Sequence, residues 1–151
     1  MKNQIENIRK IRASLLGNLN ELTTEQFNKI PDGFGNNIIW NLAHLVAAQQ
    51  SICYKRAGLD APLGDDFINT YKPGTKPEKF VDAAGIEDIK QLLFSTLDHL
   101  EADYNTHIFN GYTPVTTRYG VELNNIDDGI SFLPFHEGYH MGAIMGLKRL
   151  V

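Results

Sequence analysis

The period of the apolar residues is the feature that most constrains the fold of this chain. Along most of its length they recur at intervals of three and four, the spacing of one face of an α-helix. The first such stripe consists of Ile8, Ile11, Leu15, Leu19 and Leu22. The predicted helices cover about residues 3–22, 36–56, 86–104 and 125–150. Four long helices predict an all-α protein of the four-helix-bundle type.

Two long connections interrupt this pattern. Residues 59–85 contain repeated prolines and glycines, and residues 105–124 are rich in glycine, threonine and aromatic residues. We expect the first to be a long crossover between helices 2 and 3, which gives an up-down-down-up order. Connections this long often border a functional site. Pro134 is expected to kink the last helix or to begin a new one.

The size and charge of the chain limit the number of domains and the kinds of partner it can have. The 151 residues predict one domain over residues 1–151, and a net charge of −4 argues against nucleic acid as a partner. The basic residues near the two ends fall within helical patterns, so we expect them on solvated faces. These residues are Arg9, Lys10, Arg12, Lys148 and Arg149.

No segment of the sequence predicts export or membrane insertion. The first residues, MKNQIENIRKIRASLL, are amphipathic rather than continuously apolar, unlike a signal peptide. No apolar run approaches the roughly 20 residues that span a bilayer. Cys53 is the only cysteine, which excludes an internal disulfide. We therefore expect a cytoplasmic protein without a membrane partner.

The stretch FHEGYHMG, residues 135–142, contains the pattern H-E-x-x-H. His136 and His140 are in phase with Leu133 and Ile144 of the last apolar stripe, so both imidazoles should point into the bundle. Two neighbouring buried imidazoles cannot both become charged, whereas one shared cation satisfies both. The alternative is a pair of hydrogen-bonded core histidines. The intervening Glu137 and the position on the buried stripe favour a metal site.

The same pattern occurs in zinc proteases, but the rest of their ligand set is missing. Those enzymes take a third ligand downstream, and the eleven residues after His140 contain no His, Asp, Glu or Cys. Ala143 and Gly146 stand where the extended protease motif requires glycine and histidine. The third ligand must therefore come from upstream. His44 is the best candidate because it lies in the apolar second helix, whereas His99 and His107 are expected at the surface.

Two stretches carry a resemblance to a known family. NNIIWNLAHL (36–45) and LPFHEGYHMGAI (133–144) resemble the DinB/YfiT-like superfamily of bacterial four-helix bundles. The resemblance implies a homodimer with a divalent metal held by His44, His136 and His140, and a recurrent glutamate at Glu137. Members often read His-Arg-Gly-Gln-Ile from the last ligand onward. This chain departs from that pattern with His-Met-Gly-Ala-Ile at residues 140–144.

Three neutral imidazoles leave at least one coordination position open, which is typical of catalytic rather than structural metal sites. The donor set admits zinc, nickel, iron or manganese. Glu137 is the candidate catalytic residue: it could accept a proton beside the metal or form a hydrogen bond across a helix interface. Tyr139 is expected in the pocket or in the core, and Tyr112 and Tyr119 are candidate pocket contacts.

Two classes of function follow from these expectations. The first is a metal-dependent enzyme, either a transferase that uses a low-molecular-weight thiol, as the resemblance implies, or a metal-activated hydrolase. The second is a non-catalytic bundle that binds a metal or a small molecule. No other set of catalytic residues is present, because the sequence has no G-x-S-x-G elbow and no phosphate-binding loop.

We predict that the protein has no peptidase activity despite its H-E-x-x-H pattern. The downstream ligand is missing, and an all-helical bundle offers no strand edge to a peptide substrate. Incubation of metal-replete protein with casein should leave the casein intact. Cleavage that disappears in Glu137→Gln would contradict the prediction.

Overall fold

The structure is a computed structural model that describes residues 1–151. Its helices are α1 (Lys2–Gly17), α2 (Thr24–Asn28), α3 (Ile38–Cys53), α4 (Gly64–Tyr71), α5 (Ala83–Asn105) and α6 (Ile126–Lys148). Two short strands, β1 (Val115–Thr116) and β2 (Glu122–Leu123), pair antiparallel with Val115 opposite Leu123. The predicted all-α class is therefore confirmed apart from one small hairpin. None of the helices combines the length and apolar character that a bilayer span requires.

Side-chain caps define where most of the helices begin. Thr23 and Gln26 form the predicted capping box at the start of α2. The carbonyl or carboxylate oxygens of Asn37, Asp82 and Asn125 accept hydrogen bonds from backbone N–H groups three residues further on. These bonds satisfy donors that have no partner inside the first turn of a helix. The first helix is shorter than predicted, because α1 ends at Gly17.

The two connections contain more regular structure than their composition predicts. The crossover holds α4, and residues 105–124 hold the β1–β2 hairpin. α4 is only two turns long, too short for its apolar residues to show a period. α6 continues through Pro134, so no new helix begins there. Pro134 has no N–H to donate within the helix, but α6 packs against α1 and α3, and this packing supports the helix across the missing hydrogen bond.

α3 is the central helix. Every residue from Ile38 to Gln50 is buried, which confirms the prediction of a second helix buried within the protein. α3 packs against α2, α4, α5 and α6, while α1 packs against α5 and α6. The residues that α3 contributes to a binding site must therefore face a cavity between elements rather than open solvent.

The apolar core forms two clusters that are separated by a polar layer. The first cluster joins the C-terminal parts of α1 and α6 to the N-terminal parts of α3 and α5. The second cluster joins the opposite ends of the same helices. Four buried polar residues lie between the clusters, one on each of the four long helices. These residues are Arg12, Gln49, Thr96 and Glu137.

Arg12 is the centre of this layer, and the prediction that it lies on a solvated face is wrong. Its guanidinium has no exposure and pairs with Glu137 at 2.6 Å from Nη2 to Oε1. Nη1 donates to Oε1 of Gln49 at 3.0 Å and to the carbonyl of Leu93 at 2.7 Å. The spacing of Ile5, Ile8, Arg12, Leu15 and Leu19 places the arginine on the buried stripe of α1.

We predict that Arg12→Leu and Glu137→Leu each lower the free energy of unfolding by about 3–5 kcal/mol, because each leaves a buried charge without its partner. The double variant should lose less than the sum of the two single losses. Urea denaturation of all three variants measures these differences.

Arg9→Ala is the matched control, because Arg9 pairs with Asp98 at the surface and should contribute about 1 kcal/mol or less. If Arg12→Leu lowered the free energy of unfolding no more than Arg9→Ala does, the buried pair would not be needed for stability.

Candidate metal centre

His44 is held in one orientation by two contacts. Its ring stacks on Trp40, with 4.9 Å between centroids and an interplanar angle of 7°. Its Nδ1 lies 2.6 Å from the carbonyl oxygen of Tyr71, the last residue of α4. Because a carbonyl can only accept, Nδ1–H donates this bond, and Nε2 keeps its lone pair. This is the tautomer that a histidine needs to bind a metal through Nε2.

His140 is oriented in the same way by an amide. Its Nδ1 lies 2.9 Å from Oδ1 of Asn41, whose own Nδ2 donates to the carbonyl of Asn37 at 2.8 Å. The oxygen of Asn41 therefore faces the ring as an acceptor, so Nδ1–H donates and Nε2 keeps its lone pair. His136 lies one turn earlier on α6, and neither of its ring nitrogens has a protein partner, although Nδ1 is buried.

The three imidazoles converge on one point. The ring centroids of His44, His136 and His140 are 4.6–5.3 Å apart. One nitrogen of each ring lies within 4.8 Å of the other two. Three such atoms fit inside a circle with a radius of about 2.8 Å, whereas imidazole nitrogen binds zinc at about 2.0–2.1 Å. Ring movements of less than about 1 Å therefore bring all three nitrogens to a common ion.

Burial keeps the imidazoles neutral. Removal from water is the main cause that lowers the pKa of His136 to about 3 and that of His140 to about 4. The neighbouring imidazoles and the positive charge of Arg118 lower both pKa values further. The pKa of His44 is lowered chiefly by burial, against the opposing effect of its bond to Tyr71. Neutral rings offer lone pairs to a cation near pH 7 without first losing a proton.

The donor set fits a divalent ion. The unpaired nitrogens are Nε2 of His44 and His140 and both nitrogens of His136. A pair of core histidines satisfied by the protein would not leave such nitrogens on three converging rings. The three side chains are therefore positioned to bind a metal ion, and three imidazoles do not select among zinc, nickel, iron and manganese.

The triad faces an open cavity of about 450 Å³, a size typical of small-molecule sites. Residues of the crossover, the hairpin turn, α3 and α6 line it, including Gly74, Arg118, Tyr119, Phe132 and Tyr139. Tyr119 and Tyr139 thus lie where the sequence analysis expected pocket contacts. Tyr112 does not line the cavity; its hydroxyl donates to the carbonyl of Ile52 at 3.0 Å.

Glu137 lies on a different side of α6 from the triad. Its side chain is fully buried in the ion pair with Arg12, and it does not line the cavity. The hydrogen bond across a helix interface, one of its two expected roles, is therefore present. Its catalytic role stays a prediction. His99 and His107 are exposed and do not belong to the triad, as the sequence analysis expected.

Two residues of this site, Asn41 and Arg118, were not predicted from the sequence. Asn41 is a polar residue inside a predicted apolar helix, three positions before His44, and this placement was the available signal. Arg118 lies in the hairpin turn, where the sequence has no apolar period from which the direction of its side chain could be predicted. Asn41 matters because partners that orient a ligating histidine also affect metal affinity.

The sequence model of the DinB superfamily matches residues 7–144. The chain belongs to the DinB superfamily. The match includes α3 with His44 and the part of α6 that carries His136 and His140, so membership and the converging triad concern the same residues. None of the curated proteins is a significant match to this DinB superfamily member.

We predict that this DinB superfamily protein binds one divalent ion per chain and that the triad holds it. His44→Ala, His136→Ala and His140→Ala should each lose most of the bound metal, because each removes one of three ligands. Elemental analysis of protein purified without an affinity tag measures the content. His99→Ala is the control and should bind metal like the wild type. Equal metal content in wild type and His136→Ala would contradict the assignment.

Proposed function

We propose that the protein is a metal-dependent enzyme that transfers a low-molecular-weight thiol to a small electrophile. The observation that carries the proposal is that three imidazoles converge, with one nitrogen of each within 4.8 Å of the other two, at an open cavity rather than at a closed coordination site. A divalent cation held there would supply the Lewis acidity that favours the thiolate form of a bound thiol. His44, His136 and His140 are the residues that would hold it.

The residues that surround the triad position the reactants and do not take part in proton transfer. The lining of the cavity includes no Asp or Glu, so the proton of the thiol leaves through the open mouth to water or buffer. The sulfur then bonds to the electrophilic carbon, and the leaving group departs with the electron pair of the broken bond. Trp40, Phe132 and Tyr139 supply aromatic surface against which an electrophile can be placed.

The lack of a carboxylate in the cavity favours the thiol transferase over a hydrolase. A free thiol has a pKa of about 8.5, whereas that of bulk water is about 15.7, so a thiol needs far less assistance to lose its proton. Glu137, the carboxylate closest in sequence to the ligands, is paired with Arg12 in the core. The hydrolase is therefore the second candidate, and a non-catalytic metal-binding bundle is the third.

We also propose the architecture in which this chemistry operates. It is a single domain over residues 1–151, an up-down-down-up four-helix bundle, assembled as a homodimer. The helix order is supported by the first apolar cluster, in which the C-terminal parts of α1 and α6 meet the N-terminal parts of α3 and α5. The homodimer rests on family membership.

We predict metal-dependent consumption of a chromogenic electrophile, such as 1-chloro-2,4-dinitrobenzene, by zinc- or nickel-loaded protein in the presence of a bacterial thiol. His140→Ala should lose at least about 100-fold in rate, because a cation held by only two imidazoles is poorly retained and positioned. Absorbance of the thioether product measures the rate, with cysteine, glutathione and bacillithiol tested in parallel.

His99→Ala is the matched control and should keep the wild-type rate. Product formation at the wild-type rate in His140→Ala would contradict the transferase. So would the absence of metal-dependent turnover with every thiol, in which case release of p-nitrophenol from an ester by the same protein would favour the hydrolase.

A further inference from the structure

We propose that Arg118 binds a carboxylate of the substrate, so that the natural electrophile is a small organic acid with an apolar or aromatic part. The assignment rests on the cavity being the substrate site of the proposed function. It names the chemical class of the substrate, which neither the triad nor family membership specifies.

Arg118 is the only charged residue that lines the cavity. The remaining lining consists of neutral polar, apolar and aromatic residues together with the three histidines. None of the ion pairs of the molecule includes Arg118, and its guanidinium donates no hydrogen bond to the protein. In a chain with a net charge of −4, an arginine without a carboxylate partner at a cavity wall is available to an anion from solution.

The backbone of Arg118 is held in place on both sides. Thr117 closes the turn between β1 and β2, with its N–H donating to the carbonyl of Val121 and its own carbonyl accepting from the N–H of Gly120. Gly120 has a φ of 77°, a left-handed conformation that glycine adopts without strain. Tyr119 packs on the aromatic rings of α6, with 5.0 Å between its centroid and that of Phe135. The turn is therefore anchored to the helix that carries two of the triad histidines.

The charge of Arg118 is close enough to act on the triad. It contributes, after burial, to lowering the pKa of His44, His136 and His140 alike. A guanidinium presents a planar fork of donors that matches the two oxygens of a carboxylate. An acid bound by this fork would extend its apolar part along Phe132 and Tyr139, toward the convergence point of the histidines. This places the reacting carbon and the anionic group at different points of one cavity.

Trp40 provides a direct measurement of binding. It is the only tryptophan, lines the cavity and stacks on His44, so its fluorescence should respond to a ligand bound beside the triad, and the Arg118→Gln variant separates this response from binding in the neighbouring cavity that Trp40 also lines. Benzoate and benzamide serve as the probes, because they share a ring and nearly the same shape but differ in charge. Both are titrated into zinc-loaded and chelator-treated wild type, Arg118→Gln and Arg149→Gln. Arg149 is the matched control, since it is also exposed and without an ion pair but does not line the cavity.

We predict that wild type binds benzoate more tightly than benzamide, in the presence and absence of zinc, and that added salt weakens only benzoate binding. Arg118→Gln should bind benzoate about 10- to 100-fold more weakly, the usual effect of losing hydrogen bonds to a charged group, and should bind benzamide normally. Arg149→Gln should behave like wild type.

Equal benzoate affinity in wild type and Arg118→Gln would overturn the assignment, as would equal affinity of the wild type for benzoate and benzamide. Benzoate binding that requires zinc but is unaffected by Arg118→Gln would assign the carboxylate to the metal instead. Because the titrations measure equilibrium binding without turnover, a failure here is distinct from a failure of the transferase assay.

Discussion

The ion pair between Arg12 and Glu137 is the interaction on which the arrangement of the helices depends. It lies between two apolar clusters, and through Gln49 and the carbonyl of Leu93 it connects α1, α3, α5 and α6. A buried charge without a partner is so costly that the registers of α1 and α6 must bring these two groups together. Successive residues advance about 100° around a helix, so fixing Glu137 toward α1 also fixes the direction of His136 and His140 toward α3.

The triad depends on a second set of polar contacts that select the tautomers of its rings. The carbonyl of Tyr71 and the amide oxygen of Asn41 each accept the Nδ1 proton of one histidine, which leaves the Nε2 lone pairs of both rings for a ligand. Tyr71 ends α4, a helix in the crossover. The crossover is therefore part of the site and not merely a connection, since it both orients His44 and supplies Gly74 to the cavity wall.

Acidic and basic side chains near the triad have different roles because they lie in different places. Glu137, the acidic residue next to the ligands in sequence, is buried in its ion pair with Arg12. No acidic side chain lines the cavity. The cavity therefore offers no carboxylate base to a nucleophile, and this is the ground on which we propose a thiol rather than water as the nucleophile. The single arginine at the wall gives the cavity a positive side, which suits an anionic substrate.

The sequence by itself determined the helical class, the approximate positions of the four long helices and the choice of His44, His136 and His140 as candidate ligands, because apolar period and residue type are local properties. It could not determine that Arg12 pairs with Glu137, since the two residues are 125 positions apart in the sequence and meet only in the folded chain. Nor could it assign the roles of Asn41 and Arg118. Asn41 acquires its role only when α6 packs on α3, and Arg118 only when the hairpin turn packs on α6. Tertiary structure decided these points because each is a contact between elements whose relative positions no local pattern encodes.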